Sequence, residues 1–393
     1  MCGIFGVFGD HETDLTALLQ NGQGPAVDGQ QERSVAKTID PGVRVVREMI
    51  DQIAHRGPDG QGIFSNINKN VALAHCRLAI MDPVGGAQPL YSEDNESVLV
   101  SNGEIYNYCM LREHLGANHQ FYTNTDNETI LHLIEEHGPR AIQHLDGMFA
   151  FAFYHGQDGP PSEHLHSRYL LARDPIGIKP LYYATRPGEE ITIGSPLAFA
   201  SELKAFAETD LAVHEFPPGT YYDSQDGFVT YYTVPDHKPV AASVDALAVA
   251  LRRQLESAVT KRLMSDVPLG AFLSGGLDSS LIAAIMRQQV DELHTFSVGI
   301  EGSNDIVAAR VVAEHIGSIH HEYLYSAQEV IAHLPEIVYH LESYDQDLVR
   351  SAIPCYFCSR LAAEYVKVIL TGEGADELFA GYTYYKDYRD PQL

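Results

Sequence analysis

In the first half of the chain, apolar residues gather in short unbroken runs: Val71–Ala74, Val98–Ser101, Phe149–Phe153, Tyr169–Ala172, Leu181–Tyr183 and Ile191–Ile193. Runs of this length, bounded by polar and turn-forming residues, predict buried strands. Helical spacing of Val43, Val45, Val46, Met49, Ile50 and Ile53 predicts a helix over 43–54, and Glu128–Glu136 predicts another. The first half therefore reads as an α+β domain with much sheet. Residues 9–42 are polar and rich in Gly, Gln and Asp, and read as a surface insertion. Pro217, Pro218, Pro235 and Pro239 mark a junction. Beyond it the pattern alternates: a helix at about 244–264, a strand Leu269–Leu273, a helix from about 280, a strand Thr295–Val298, helices near 305–316 and 351–364, and a strand Val366–Leu370. Strand alternating with helix predicts a parallel sheet covered by helices, an α/β domain.

Composition narrows the class. The 393 residues are 45% hydrophobic and 20% charged, which excludes disorder as the main state. No run approaches the ~20 apolar residues of a membrane helix, and the start, Met1-Cys2-Gly3-Ile4-Phe5-Gly6, lacks the basic and apolar regions of a secretory signal. Acidic residues outnumber basic ones 53 to 26, for a net charge of −27. The excess is spread along the chain, so a nucleic-acid partner is excluded for want of a basic face. Five cysteines are too few for a disulfide framework, and a reducing, cytoplasmic setting is expected. Cys355 and Cys358 have no second C-x-x-C pair to complete a zinc site and read as two buried thiols one helical turn apart. The 19 histidines show no H-E-x-x-H pattern, so no metal–histidine site is expected.

Candidate chemistry begins at Cys2. Removal of Met1 would give a thiol carrying its own α-amine, a nucleophile with a built-in base. A second-position cysteine alone is usually a core residue; this one gains weight from its company. Asn102 and Gly103 follow a predicted strand and offer an amide and a backbone N–H to a developing oxyanion, although Asn-Gly alone would read as a turn. Arg77, flanked by apolar residues, needs an anion. A substrate carboxylate would serve, as would an internal pair with Asp82. Asp126 precedes the helix at 128, where it would hold a substrate ammonium or simply cap the helix.

These residues carry a resemblance. Met1–Ile4, His55-Arg56-Gly57-Pro58-Asp59-Gly60, Arg77–Asp82, Asn102–Asn107, Asp126 and Arg173–Tyr183, closed by Phe216–Tyr221, together resemble the class II glutamine amidotransferase family. The likeness implies a four-layer (αββα) N-terminal-nucleophile domain over 2–220 that hydrolyses glutamine. It makes Cys2 the nucleophile and Asn102 with Gly103 the oxyanion donors. It places Arg77, Leu78, Ala79, Ile80, Met81, Glu104 and Asp126 around the glutamine. The His55–Asp59 motif lies farther from Cys2 than the family pattern, because of the insertion, which is expected to loop out.

In the second half, Ser274-Gly275-Gly276-Leu277-Asp278-Ser279-Ser280 lies between a predicted strand and helix. Paired glycines let N–H groups approach a phosphate at a helix N-terminus. The loop lacks the lysine of a Walker motif, which excludes an ordinary P-loop enzyme. Asp278 offers a hard oxygen ligand for Mg²⁺. A second acidic loop, Thr371-Gly372-Glu373-Gly374-Ala375-Asp376-Glu377, follows the strand at 366–370. Two such loops at the carboxyl ends of neighbouring parallel strands would face one crevice. Either loop alone also reads as a solvated turn.

Ser274–Ser280, Phe296–Gly299 and Thr371–Glu377 with Gly381-Tyr382 resemble the ATP-pyrophosphatase domain of glutamine-hydrolysing asparagine synthetases of the B type, and Ser201–Ala205 and Glu342–Asp345 with Arg350–Ala352 point to the same family. The resemblance implies an α/β domain over 243–393, after a junction at 221–242. It implies glutamine, aspartate and ATP as substrates, with Mg²⁺. Aspartate would be activated as an adenylate and attacked by ammonia delivered from Cys2 through an internal tunnel. By motif position, Leu273 and Val298 line the adenine end, and Ser274, Gly275, Gly276, Asp278 and Ser279 hold pyrophosphate. Thr371 and Gly372 touch the nucleotide, Glu373 supports the adenylate, and Asp278 and Asp376 bind Mg²⁺. A homodimer fits the same likeness. The family continues well past the acidic loop, to a lysine that steadies ATP, whereas the sequence ends at Leu393 and Lys386 carries no mark of that role. The second domain is therefore expected to be incomplete, with an uncovered sheet face. Two other readings stay open: amidation of a different carboxylate, and a shortened paralogue that binds glutamine or ATP without synthesis.

Overall fold

The computed structural model describes residues 2–9, 41–156, 169–236, 240–383 and 385, without the side chains of 41–43 and 67. Most of the expected insertion at 9–42, and Lys386, lie outside the described residues. The chain divides into two units, Met1–Lys238 and Pro239–Leu393.

The first unit contains, in order, β1 (Gly3–Phe8), α1 (Pro41–Asp51), β2 (Gly60–Asn66), β3 (Val71–Arg77), β4 (Leu90–Tyr91), β5 (Ser97–Ile105), α2 (Tyr108–Leu115), α3 (Glu128–His137), β6 (Gly147–His155), β7 (Tyr169–Arg173), β8 (Tyr182–Thr185), β9 (Leu197–Ala200), β10 (Ala212–Glu215), β11 (Thr220–Asp223) and β12 (Gly227–Thr230). Two antiparallel six-stranded sheets result, ordered β10-β8-β9-β1-β3-β2 and β12-β11-β7-β6-β5-β4. The unbroken apolar runs follow from burial on both strand faces. In β1, Ile4 and Phe8 join a cluster with Val98, Ala150 and Leu171 of the second sheet. Phe5 and Val7 turn the other way, against Val46, Met49 and Ile50 of α1. In β6, Phe149, Phe151 and Phe153 face Leu111, Leu115, Ile130 and Ile134 of α2 and α3.

Three sequence expectations change here. The run Ile191–Ile193 is not a strand: a turn closes it, with Thr192 N–H donating to Ser195 Oγ. The stretch read as a junction supplies β12 and most of β11 to the second sheet; its prolines flank strands at a sheet edge, where a missing N–H is tolerated. Asn102 and Gly103 do not follow a strand but lie within β5, paired with Ala150 and Phe149.

The second unit runs α4 (Val244–Lys261), β13 (Leu269–Phe272), α5 (Leu277–Arg287), β14 (His294–Gly299), α6 (Asn304–Ile316), β15 (Ile319–Leu324), α7 (Ala327–Leu341), α8 (Gln346–Ala362), β16 (Val368–Leu370) and α9 (Ala375–Phe379). Its four strands are parallel, in the order β15-β14-β13-β16. One cluster joins Ala271 to Val259, Ala283, Met286 and Ala309, and another joins Phe296 to Cys358 and Ala362. The expected uncovered sheet face is therefore not found: helices pack on both sides. Exposed apolar side chains sit at Val244 and Val249 of α4, at Ile319 and Leu324 of the edge strand β15, and at Leu378 and Phe379 of α9. β15 and α7 were not anticipated, because the polar β15 sequence, Ile-His-His-Glu-Tyr-Leu, hides its strand pattern. Of the thiol pair on α8, Cys358 is buried but Cys355 is exposed: the two stand about 60° apart around the helix, and that is enough to carry Cys355 past the edge of the buried face. Among the described residues no helix is long and apolar enough to cross a membrane.

Candidate active site

Strand pairing brings the amino-terminal thiol to the second motif. β1 lies against β3 with Gly3 opposite Cys76, so Cys2 faces the residues that follow β3. The Leu78 N–H donates to Cys2 Sγ at 3.3 Å. A side chain at position 3 would not fit, because a Cβ there would lie 2.6 Å from Cys76 Sγ. Burial pushes the Cys2 thiol up, and the contact with the Leu78 backbone partly offsets this.

The His55–Asp59 motif folds onto the same place. Arg56 Nε donates to the Cys2 carbonyl at 2.9 Å, and Nη1 donates to Glu202 Oε1 at 2.6 Å. Glu202 also pairs with His55 and Lys204. Burial alone would raise the Glu202 carboxyl, but the hydrogen bonds from His55, Lys204 and Arg56 outweigh it and hold it at about 2. Asp59 Oδ2 accepts the Ala79 N–H at 2.8 Å. Ser201–Ala205 thus lies in the first unit beside Cys2.

Arg77 meets Asp82 through its carbonyl, with Nη2 donating at 2.6 Å, and also bonds the carbonyls of Met81 and Pro83. The Asp82 carboxylate instead accepts the N–H groups of Gly85 and Asn124. Leu78 and Ile80 are half-buried, and Ala79 and Met81 are buried.

From β5, Asn102 is 1% exposed, and its Nδ2 is a buried donor with no hydrogen-bond partner among the described residues; Glu104 Oε2 is likewise a buried acceptor without one. Gly103 is obligatory here, since a Cβ would lie 2.4 Å from the Met148 carbonyl of β6. The Asp126 side chain does not cap α3. Its Oδ2 accepts the Ile105 N–H at 2.6 Å and its Oδ1 accepts from Asn127 Nδ2 at 3.0 Å. Burial raises both Glu104 and Asp126; the Asp126 carboxylate raises Glu104 further, while hydrogen bonds from Ile105 and Asn127 partly offset the rise at Asp126. The two buried carboxyl groups offer acceptors to an incoming ammonium.

One functional group passed without a role in the sequence. Lys179 is 4% exposed. Its loop is fixed by Asp174, whose Oδ1 accepts the N–H groups of Ile176 and Ile178 and whose Oδ2 accepts that of Lys179, and by Arg173 Nε, which donates to the Lys179 carbonyl. Burial lowers the Lys179 ammonium, while Glu104 and Cys2 pull it back up. The available signal was a lysine set in an otherwise apolar Ile178-Lys179-Pro180 run.

In the second unit, β13 and β16 are parallel neighbours with Ala271 opposite Leu370, so the loops that follow them meet. A Cβ on Gly372 would lie 2.9 Å from the Ser279 backbone nitrogen and 3.0 Å from Asp278. Gly275 has φ +79°, and a Cβ there would lie 2.5 Å from Ala308 of α6. Ser274 and Ser279 share a hydroxyl contact of 3.0 Å. α5 begins at Leu277, earlier than the sequence suggests, which puts Asp278 and Ser279 in its first turn. The Glu373 N–H donates to Thr371 Oγ1, and Asp376 lies in α9. Val298 is half-buried in β14, whereas the Leu273 side chain is 1% exposed within the core, leaving its main chain to meet any ligand.

Residues 29–260 match the family model for the glutamine amidotransferase domain, and residues 250–392 match that for asparagine synthase. Asparagine synthetase [glutamine-hydrolyzing] 2 of Arabidopsis thaliana is 42% identical over 86% of this chain and 58% of its own length. Asparagine synthetase B [glutamine-hydrolyzing] of Escherichia coli (strain K12) is 38% identical over 98% and 65%. The asparagine synthetase [glutamine-hydrolyzing] of Sandersonia aurantiaca is 40% identical over 92% and 67%. A glutamine amidotransferase module followed by an asparagine synthase module is the class these matches define. The chain belongs to the family of glutamine-hydrolysing asparagine synthetases, and it spans 58% and 65% of the length of the first two relatives.

Proposed function

We propose that this chain transfers the amide nitrogen of glutamine to aspartate at the expense of ATP, yielding asparagine, glutamate, AMP and pyrophosphate. The first unit is read as a four-layer N-terminal-nucleophile domain, a reading supported by two sheets that share one cluster and carry helices on their outer faces. With Met1 removed, the Cys2 thiol passes its proton to its own α-amine and attacks the glutamine amide carbon. Asn102 Nδ2 and the Gly103 backbone stabilise the oxyanion. Ammonia leaves, and water releases glutamate from the thioester. Arg77 to Met81 hold the substrate carboxylate end, and Glu104 with Asp126 hold its ammonium. The observation that carries this reading is the orphaned Asn102 donor and Glu104 acceptor, buried on the strand that carries the motif.

In the second unit, Leu273 to Ser279, Val298, Thr371 and Gly372 would seat ATP, and Glu373 would support aspartyl adenylate. The carboxylates of Asp278 and Asp376, with hydroxyls of Ser274 and Ser279 nearby, fit the hard-oxygen preference of Mg²⁺. Mg²⁺ there would neutralise pyrophosphate charge as the adenylate forms.

The test follows glutamate, asparagine and pyrophosphate, with glutamine or ammonia as donor. Cys2→Ala should lose glutamine use and keep ammonia-dependent synthesis. Glutaminase activity surviving in Cys2→Ala overturns the nucleophile assignment. Pyrophosphate release that does not require aspartate points to another acceptor, and ATP binding without pyrophosphate release points to a binding paralogue.

A further inference from the structure

The first unit holds a cluster that glutamine chemistry does not use. Glu93, in the turn between β4 and β5, His119, in the loop after α2, and His132 with Glu135, one turn apart on α3, converge with one donor atom each inside a 4.8 Å span. We propose that these four side chains form a structural site for a divalent transition ion of the zinc class.

Distances come first. His132 Nδ1 lies 3.0 Å from Glu135 Oε2, and His119 Nδ1 lies 3.3 Å from Glu93 Oε1. His119 Nδ1 to Glu135 Oε2 and His132 Nδ1 to Glu93 Oε2 are both 3.9 Å. Four ligands at a bond length of ~2.05 Å around a tetrahedral ion stand ~3.3 Å apart. These four contacts, in which Glu93 takes part through Oε1 to His119 and Oε2 to His132, lie on either side of that value, and the one-atom-per-residue set spans up to 4.8 Å, so closing a shell requires the side chains to draw in. Two imidazoles and two carboxylates are a nitrogen–oxygen donor set that zinc accepts.

Second-shell geometry is an independent observation. Each imidazole has a carboxylate behind its other nitrogen: Glu128 Oε1 lies 3.7 Å from His132 Nε2, and Glu136 Oε2 lies 3.5 Å from His119 Nε2. Neither carboxylate is hydrogen-bonded to the ring at these separations, but an ion on Nδ1 would leave each Nε2–H facing the kind of acceptor that orients ligating histidines. His132 is fully buried, and its Nε2 has no hydrogen-bond partner among the described residues. The Phe121 ring packs edge-on against it at 4.8 Å, shielding this side of the cluster from water.

Charge points the same way. Glu93, Glu128, Glu135 and Glu136 crowd together, and the basic side chains in ion-pair range of them, among the described residues, are histidines. A bound dication balances the two ligating carboxylates and leaves both imidazoles neutral. The ion would tie the β4–β5 turn and the loop after α2 to α3.

The experiment uses the full chain, stripped with chelator and titrated with Co²⁺ as a visible reporter, then with Zn²⁺ against a chromophoric chelator. One equivalent should bind, with the d–d bands of a four-coordinate nitrogen–oxygen site and no thiolate charge-transfer band. His119→Gln and Glu135→Gln, on exposed or half-buried positions, should each weaken binding at least tenfold and abolish the Zn²⁺-induced rise in Tm, with far-UV circular dichroism and glutaminase activity retained. Absence of saturable binding, a thiolate band, or unchanged affinity in both variants overturns the site.

Discussion

Arg56 reaches back 54 residues to donate its Nε to the main-chain carbonyl of Cys2 at 2.9 Å, while its Nη1 grips Glu202 from 146 residues further on. The backbone of the candidate nucleophile is thus anchored by a buried ion pair rather than by the strand it precedes. Truncating one member leaves the others uncompensated in low dielectric. Glu202→Gln should therefore destabilise the first unit by ~3 kcal/mol and lower the glutaminase kcat. Because the folded carboxyl sits at about 2, below its ordinary value of 4.5, this stabilisation is present above pH 4.5 and is lost as pH falls toward 2. Urea midpoints measured against pH for both proteins check this.

Lys179 sets a second expectation. Its buried ammonium favours the thiolate of Cys2 and the ionised form of Glu104. Lys179→Met should move the acid limb of the glutaminase pH profile alkaline by roughly one unit. The rate at which iodoacetamide alkylates Cys2 should shift with it. An alkylation profile that coincides with that of the unaltered protein removes Lys179 from the site.

His75 lies in β3 with its ring fully enclosed, and burial lowers it to about 3. The unfolded chain binds this proton near pH 6.5 and the folded one does not. Stability contributed by this position thus falls by ~1.4 kcal/mol per pH unit between those values as the solution is acidified. In His75→Gln, the dependence of stability on pH between 4 and 6 should flatten by that amount.

Gly275 has a left-handed backbone and no room for a Cβ against Ala308. Gly275→Ala should cost ~1–3 kcal/mol of local strain and sharply reduce ammonia-dependent pyrophosphate release. Glutamine hydrolysis, housed in the first unit, should continue. Loss of both activities together would contradict this separation.

Strand and helix positions were legible because burial on both faces leaves continuous apolar runs, as in β1 and β6, and because amphipathic spacing marks α1 and α3. β15 was hidden by its two histidines and a glutamate, and Ile191–Ile193 misled because an apolar pair also fits a turn. Motif residues such as Cys2, Asn102 and Asp278 could be named from their order along the chain. Their surroundings could not. Along the chain Asp126 reads equally as a helix cap or as a holder of a substrate ammonium, and only the course of β5 brings the Ile105 N–H to its carboxylate.

The sequence by itself determined the two-part plan, the cysteine at position 2 among the motifs of its family, and the paired glycine-rich and acidic loops, since each rests on local pattern and spacing. Tertiary structure alone decided the Arg56–Glu202 anchor, the burial of Lys179 and the gathering of Glu93, His119, His132 and Glu135. The reason is physical: charge interactions depend on separation and on exclusion of water. Both are set by which strands pair and which faces close, not by distance along the chain.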